Sequence, residues 1–348
     1  MLTILEHLPP GFLDATAAEL HRVLSGPTLI HLPGRHEPPL FVSALLHGNE
    51  DVGLQAVQRL LKDYAGRELP RAMSILIGNV SAAREGLRHL PGQPDYNRVW
   101  PGTDEPGRPE AQAMEAVVHA MRQRGTFASV DLHNNTGLNP HYACINRLDV
   151  HSLQLATLFG RTVVYFLRPR GVQSMAFSEL APAVTLECGK AGDEAGVRHA
   201  HEYLEACLRL SAIPDHPVAP HDVDLYHTVA TVKLPPETAF AFGGEGPGVD
   251  LRFPPDLDHM NFRELPAGTP LAQRLTSMGR IEVLDETGHD IAHQALVEVG
   301  SELRLARPYM PAMLTLDAEV VRQDCLCYLM ERYPVSYTHL TLPTKRIV

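Results

Sequence analysis

Apolar positions follow two alternating patterns over the first two-thirds of the chain. Short continuous runs at residues 40–46 (LFVSALL), 73–80 (MSILIGNV), 127–132 (FASVDL), 162–167 (TVVYFL) and 183–188 (AVTLEC) predict five buried strands. Between them, residues 51–64 carry Val57, Leu60, Leu61 and Tyr64 at helical spacing, and residues 110–123 and 194–210 repeat an amphipathic helical pattern. Strands separated by helices predict an α/β class, with a mixed, mostly parallel central sheet flanked by helices.

The pattern changes at residues 211–224 (SAIPDHPVAPHDVD), where three prolines and no periodicity predict a linker. Beyond it lie short β-like runs at 227–234, 280–284 and 295–299, separated by Gly and Pro. The expected division is a catalytic domain over 1–214 and a smaller β-rich C-terminal domain over 215–335. Residues 336–348 (SYTHLTLPTKRIV) resemble translated adaptor read-through and are set apart as a non-native tail, with a true C-terminal strand as the alternative.

Composition narrows the partners. The 348 residues carry 30 Lys and Arg against 41 Asp and Glu, a formal charge of −11. An acidic surface argues against nucleic acid or an anionic membrane as the main partner. It exerts no long-range pull on a carboxylate, so an anionic small molecule needs local arginines. A homo-oligomer is compatible with this composition. No apolar run spans a bilayer, and the first twenty residues lack the pattern of a signal peptide. Five cysteines without framework spacing (Cys144, Cys188, Cys207, Cys325 and Cys327) read as reduced thiols of a cytoplasmic protein.

Candidate chemistry gathers at strand ends, where open α/β sheets bind ligands. The run 40–46 leads into His47-Gly48-Asn49-Glu50, followed at once by a helix. An imidazole and a carboxylate three residues apart can face one metal ion, with Gly48 allowing a sharp turn between them. Alone, the pair is a weak signal and reads more readily as a polar strand end and a first-turn helix acid. A second apolar strand leads to Asp131-Leu132-His133. His133 completes a three-ligand set typical of catalytic zinc. Asp131, two residues earlier and on the same strand face, is either a carboxylate orienting a ligand or a buried acid bonded to backbone amides. A third strand ends at Glu187-Cys188-Gly189-Lys190. A carboxylate there is costly to bury unless it is functional or paired, with Lys190 as the plain structural partner. Arg84, Arg88, Asn97 and Arg98 cluster after the second strand, as anion-binding groups or as an ordinary surface loop.

His47-Gly48-Asn49-Glu50, Gly78-Asn79, Asn97-Arg98, Asp131-Leu132-His133 and Leu186-Glu187-Cys188-Gly189 together resemble the ordered motifs of the succinylglutamate desuccinylase/aspartoacylase family, a branch of the zinc carboxypeptidase-like fold. The resemblance implies one zinc ion per chain on His47, Glu50 and His133. It implies Glu187 as the base for the attacking water and Arg88 as the group polarising the acyl carbonyl. Asn97 and Arg98 would hold a substrate carboxylate. The implied activity is hydrolysis of the amide bond of a small N-acyl amino acid or related amine. A metallocarboxypeptidase for short peptides and a zinc-bound, non-catalytic binding protein are the alternatives. Two departures stand out: about two extra residues between Arg88 and Asn97, and Phe177 near the spot where aspartoacylases carry an acyl-gripping Arg, with Arg168 and Arg170 a little upstream.

Overall fold

In the computed structural model, which describes residues 2–244 and 248–334, the chain is built around one long mixed sheet. The segment 336–348 lies outside the described residues. The strands up to residue 233 are β1 (Thr3–Leu5), β2 (Thr28–Leu32), β3 (Gly34–Ala44), β4 (Leu69–Ile77), β5 (Ala128–Asn135), β6 (Tyr142–Ile145), β7 (Thr162–Tyr165), β8 (Ala183–Lys190) and β9 (Asp224–Lys233). All five apolar runs form strands, and the helical patterns become α1 (Val52–Asp63), α3 (Pro109–Arg124) and α6 (Glu194–Arg209). The short helices α2 (Val80–Glu85), α4 (Val150–Thr157) and α5 (Gln173–Phe177) lie between them. The mixed α/β architecture is the expected one.

Alternate side chains of a doubly covered strand enter two cores. In β3, Leu40, Val42 and Ala44 pack with Val57 and Leu60 of α1 and Leu204 of α6. Phe41 joins Met114 and Val117 of α3 in the core of the other face, where it stacks on Phe177 at 4.2 Å. The order β4-β3-β5-β8 is parallel throughout, so four carboxyl ends lie side by side.

Beyond β9 the strands are β10 (Phe240–Phe242), β11 (Leu251–Phe253), β12 (Pro270–Arg274), β13 (Glu282–Asp285), β14 (Leu296–Val299), β15 (Glu302–Leu305), β16 (Met310–Ala312) and β17 (Cys327–Arg332). Five of them (β10-β11-β12-β15-β14) form a separate small sheet. A distinct core collects Ala230, Val232, Phe253, Val283 and Leu303. The long sheet nevertheless continues across residue 214: β7 pairs with β9, β9 with β17, and β17 with β16. The first core extends past residue 214 to Val218, Val223 and Leu225, the second begins at Ala230, and the backbone ladder runs through both. Among the described residues, no helix is long and apolar enough to cross a membrane.

Candidate metal centre and active site

His47 and Glu50 sit where β3 gives way to α1. The strand ends at Ala44, and Leu45 adopts a left-handed φ of 55°, sparsely populated for a residue with a Cβ. Gly48 lies in the expected turn, but its φ is not in the left-handed region, and close packing is what leaves no room for a side chain there. A Cβ there would lie 2.2 Å from Ala83 N and 2.3 Å from Ala82 C, so the loop presses directly on the backbone of α2. The Gly48 N–H donates to Arg88 O (3.1 Å), tying this turn to the loop that carries the arginines. Asn79 fixes the same region by capping α2, its side chain accepting from Ala82 N at 3.1 Å.

β5 and β8 run further than their apolar cores, so His133 and Glu187 lie inside strands and directly opposite each other in register. Directly opposed residues share a sheet face. The two imidazoles converge on one carboxylate: His47 Nδ1 lies 2.8 Å from Glu50 Oε1, and His133 Nδ1 lies 2.8 Å from Glu50 Oε2. Asn134 N also donates to Glu50 Oε2 (3.0 Å), while the Asn134 side chain bridges Val52 N and Gly189 O. One asparagine thus joins the first turn of α1 to the ends of β5 and β8.

The outward nitrogen of each imidazole meets a second carboxylate. His133 Nε2 lies 2.9 Å from Asp131 Oδ2, and Ser43 Oγ donates to the other Asp131 oxygen at 2.7 Å. Of the two readings of Asp131, the contact made is the one to the imidazole. His47 Nε2 lies 2.9 Å from Asp95 Oδ1. Asp95 escaped the sequence reading because it sits in a Pro- and Gly-rich loop without periodicity. Its signal is chemical: a metal-facing His needs an acceptor for its second nitrogen, and Asp95 stands two residues before Asn97.

These residues fit a divalent cation. One ligand atom from each of His47, Glu50 and His133 lies within 4.8 Å of the others, and all three residues are buried. Glu50, Asp95 and Asp131 surround two imidazoles, an excess of negative charge that a dication offsets. Burial works against charge at each position. Even so, His47 and His133 hold Glu50 far below the usual carboxylate range, and Asp131 and Glu50 raise His133 well above the ordinary histidine value. The donor set is the His₂Glu type used by catalytic zinc. The five cysteines are free and buried, and Cys325 with Cys327 joins no metal-ligand group among the described residues.

Glu187 differs from the other acids. It is buried, its Oε2 has no hydrogen-bond partner, and burial pushes its carboxyl up to about 7. Lys190 is exposed and forms no ion pair with it among the described residues.

Arg88 and Arg98 are brought together by an acid 226 residues beyond Arg98. Arg98 Nη2 donates to Asp324 Oδ1 (2.9 Å), and Arg88 Nη2 donates to Asp95 Oδ2 (2.9 Å) and Asp324 Oδ2 (3.4 Å). Asn97 Nδ2 is 3.2 Å from His133 Nε2. Arg84 is not part of the cluster; it lies exposed on α2 beside Glu85. Phe177 is fully buried in the core of the α3 face, whereas Arg168 borders the cavity lined by His47, Glu50 and His133. That cavity, of about 90 Å³, is also lined by Arg88, Asn97, Arg98, Glu187 and Asp324.

Residues 36–212 match the family model described as the succinylglutamate desuccinylase/aspartoacylase catalytic domain. The chain is 28% identical over 271 residues to the succinylglutamate desuccinylase of Pseudomonas fluorescens, covering 72% of this chain and 76% of that protein. It is 26% identical over 216 residues to the Yersinia enterocolitica succinylglutamate desuccinylase, covering 54% of this chain and 62% of that one. The crystal structure of the succinylglutamate desuccinylase from Chromobacterium violaceum has the same fold, with a TM-score of 0.55 at 18% identity over 87% of this chain and 86% of that one. The chain belongs to the succinylglutamate desuccinylase/aspartoacylase family, whose members are amide hydrolases.

Proposed function

We propose that the chain is a zinc-dependent deacylase that cleaves the amide bond of a small N-acyl amino acid or related amine. The observation that carries this reading is the buried convergence of His47, Glu50 and His133 beside an unpartnered buried acid, Glu187. A scaffold that merely bound zinc would have no use for that acid, whose isolation is costly. Zinc, when bound, supplies Lewis-acid polarisation of a carbonyl and acidification of a water.

The chain's own residues supply the rest. Glu187 accepts the proton of the attacking water at its free Oε2 and returns it to the leaving nitrogen as the C–N bond breaks. Arg88, fixed by Asp95, presents positive charge where the carbonyl oxygen becomes an oxyanion. Asn97 and Arg98 face the same cavity and suit a substrate carboxylate. The products are a carboxylic acid and a free amine.

Ala312, Met313, Asp324, Tyr328 and Met330, all from the C-terminal third, close over this cavity and favour small molecules over polypeptide ends. The reading is tested by assaying zinc-loaded protein on N-acetyl, N-succinyl and N-formyl amino acids beside short peptides. Faster release of C-terminal residues from peptides would replace it with the carboxypeptidase reading.

A further inference from the structure

The cavity of the metal ligands is chemically two-sided. Its charged groups come from the ends of β3, β5 and β8, from the loop carrying Arg88 and Arg98, or from the mouth. Arg98, Arg168, Asp324 and Tyr328 border both this cavity and the wider groove outside it, which places them at the mouth. Arg168 is anchored there, its Nε donating to Glu286 O at 2.8 Å.

Across the sheet from Glu187 the lining is uncharged. Tyr142 of β6 lies opposite Glu187 and Cys144 opposite Thr185; Cys144 in turn lies opposite Val164 of β7. Opposed residues share a sheet face, so these side chains form one wall on the Glu187 side. Phe166, Ala312 and Met330 extend it, packed in a single apolar cluster with Tyr142, Cys144 and Val164. Of the wall's hydroxyls, those of Tyr142 and Thr185 are already engaged, while that of Thr228, opposite Met330, makes no hydrogen bond among the described residues. The Tyr142 hydroxyl donates to Met313 Sδ at 3.1 Å, and Thr185 Oγ1 donates to Ser174 Oγ at 2.9 Å.

We infer that the substrate's amino-acid half carries an uncharged, apolar side chain that packs on this wall. The inference rests on the deacylase reading above and names the substrate class for the same site. Asn97 links wall and cradle, its Oδ1 accepting from Gln173 N (3.3 Å) next to Val172, which also borders the cavity. A carboxylate held at Asn97 and Arg98 leaves the side chain of the same amino acid facing the wall. A second carboxylate there would meet no cation, only the single hydroxyl of Thr228 opposite Met330, and would have to stay ionised in a largely apolar surround.

The test compares kcat/KM of the zinc-loaded protein for N-acetyl-leucine, N-acetyl-methionine and N-acetyl-phenylalanine with that for N-acetyl-aspartate, N-acetyl-glutamate and N-succinyl-glutamate. The apolar set is expected to be favoured by roughly 100-fold or more. Equal or better use of the acidic set overturns the inference. Loss of that acidic activity in Arg168→Met would then assign the side chain to the mouth. If no compound is hydrolysed, the deacylase reading fails, and calorimetric titration with the same compounds decides the inference separately. Binding of the apolar set alone upholds it; absent or acid-selective binding overturns it. A gain-of-function arm uses Val164→Arg, which is expected to move the preference at least tenfold toward N-acetyl-aspartate. A folded variant with unchanged preference counts against the wall.

Discussion

The residues that set the behaviour of the site include those touching the candidate ligands from behind. Asp95 and Asp131 each hold the outward nitrogen of one imidazole, fixing its rotation and raising its basicity. Asp131→Asn is expected to weaken zinc affinity by about 10- to 100-fold, read by competition with a chromophoric chelator. Unchanged affinity would reduce Asp131 to a packing residue. Asp95→Asn is expected to do the same and also to lower kcat, because the Asp95 carboxylate is what fixes Arg88. Glu187 is a different case, touching neither imidazole through a hydrogen bond. Glu187→Gln is expected to keep its zinc and lose about 10²- to 10⁴-fold in turnover. Full turnover with zinc retained would remove Glu187 from the role of base.

At the scale of elements, the site depends on where strands stop and on what presses against the turn that follows. Gly48 packs its backbone on α2 with no room for a methyl group. Gly48→Ala must therefore push α2 away from the turn between His47 and Glu50. The expected loss of stability is about 1–3 kcal/mol, seen in chemical denaturation, together with weaker zinc binding. Wild-type stability in that variant would contradict the close approach.

The strands that carry the chemistry were legible because parallel strands covered on both faces must be continuously apolar. Polar residues that interrupt such a run at its end then stand out, as His47, His133 and Glu187 do. β2 and β6 were not legible: Thr28–Leu32 and Tyr142–Ile145 are short and lie among turn-forming residues. Nor could the strand order be read. The adjacency of β3, β5 and β8, which brings three distant motifs to one point, is a property of the assembled sheet. Asp324 was out of reach for the same reason, since its contact with Arg98 spans 226 residues of chain.

For the whole molecule, the continuity of the sheet matters most. A division at residue 214 removes Val218, Val223 and Leu225 from the first core, cuts the ladder between β7 and β9 and strips Ala312, Asp324 and Met330 from the cavity. It would also leave Tyr142, Cys144 and Val164 without their partners in the apolar cluster they share with Tyr226 and Met330. A fragment of residues 1–214 is therefore expected to aggregate or to bind a hydrophobic dye, owing to its bare strand edge and apolar face. A folded, zinc-binding fragment would show that the two parts are independent.

The central claim concerns the ion. The most direct measurement is the zinc content, by mass spectrometry of the element, of purified chain and of its His133→Ala variant after dialysis against metal-free buffer. The account expects about one zinc per chain in the wild type, in keeping with a three-residue ligand set, and a large loss in the variant. Wild-type protein that holds no zinc after exposure to it, or a variant that keeps the full complement, would contradict the account.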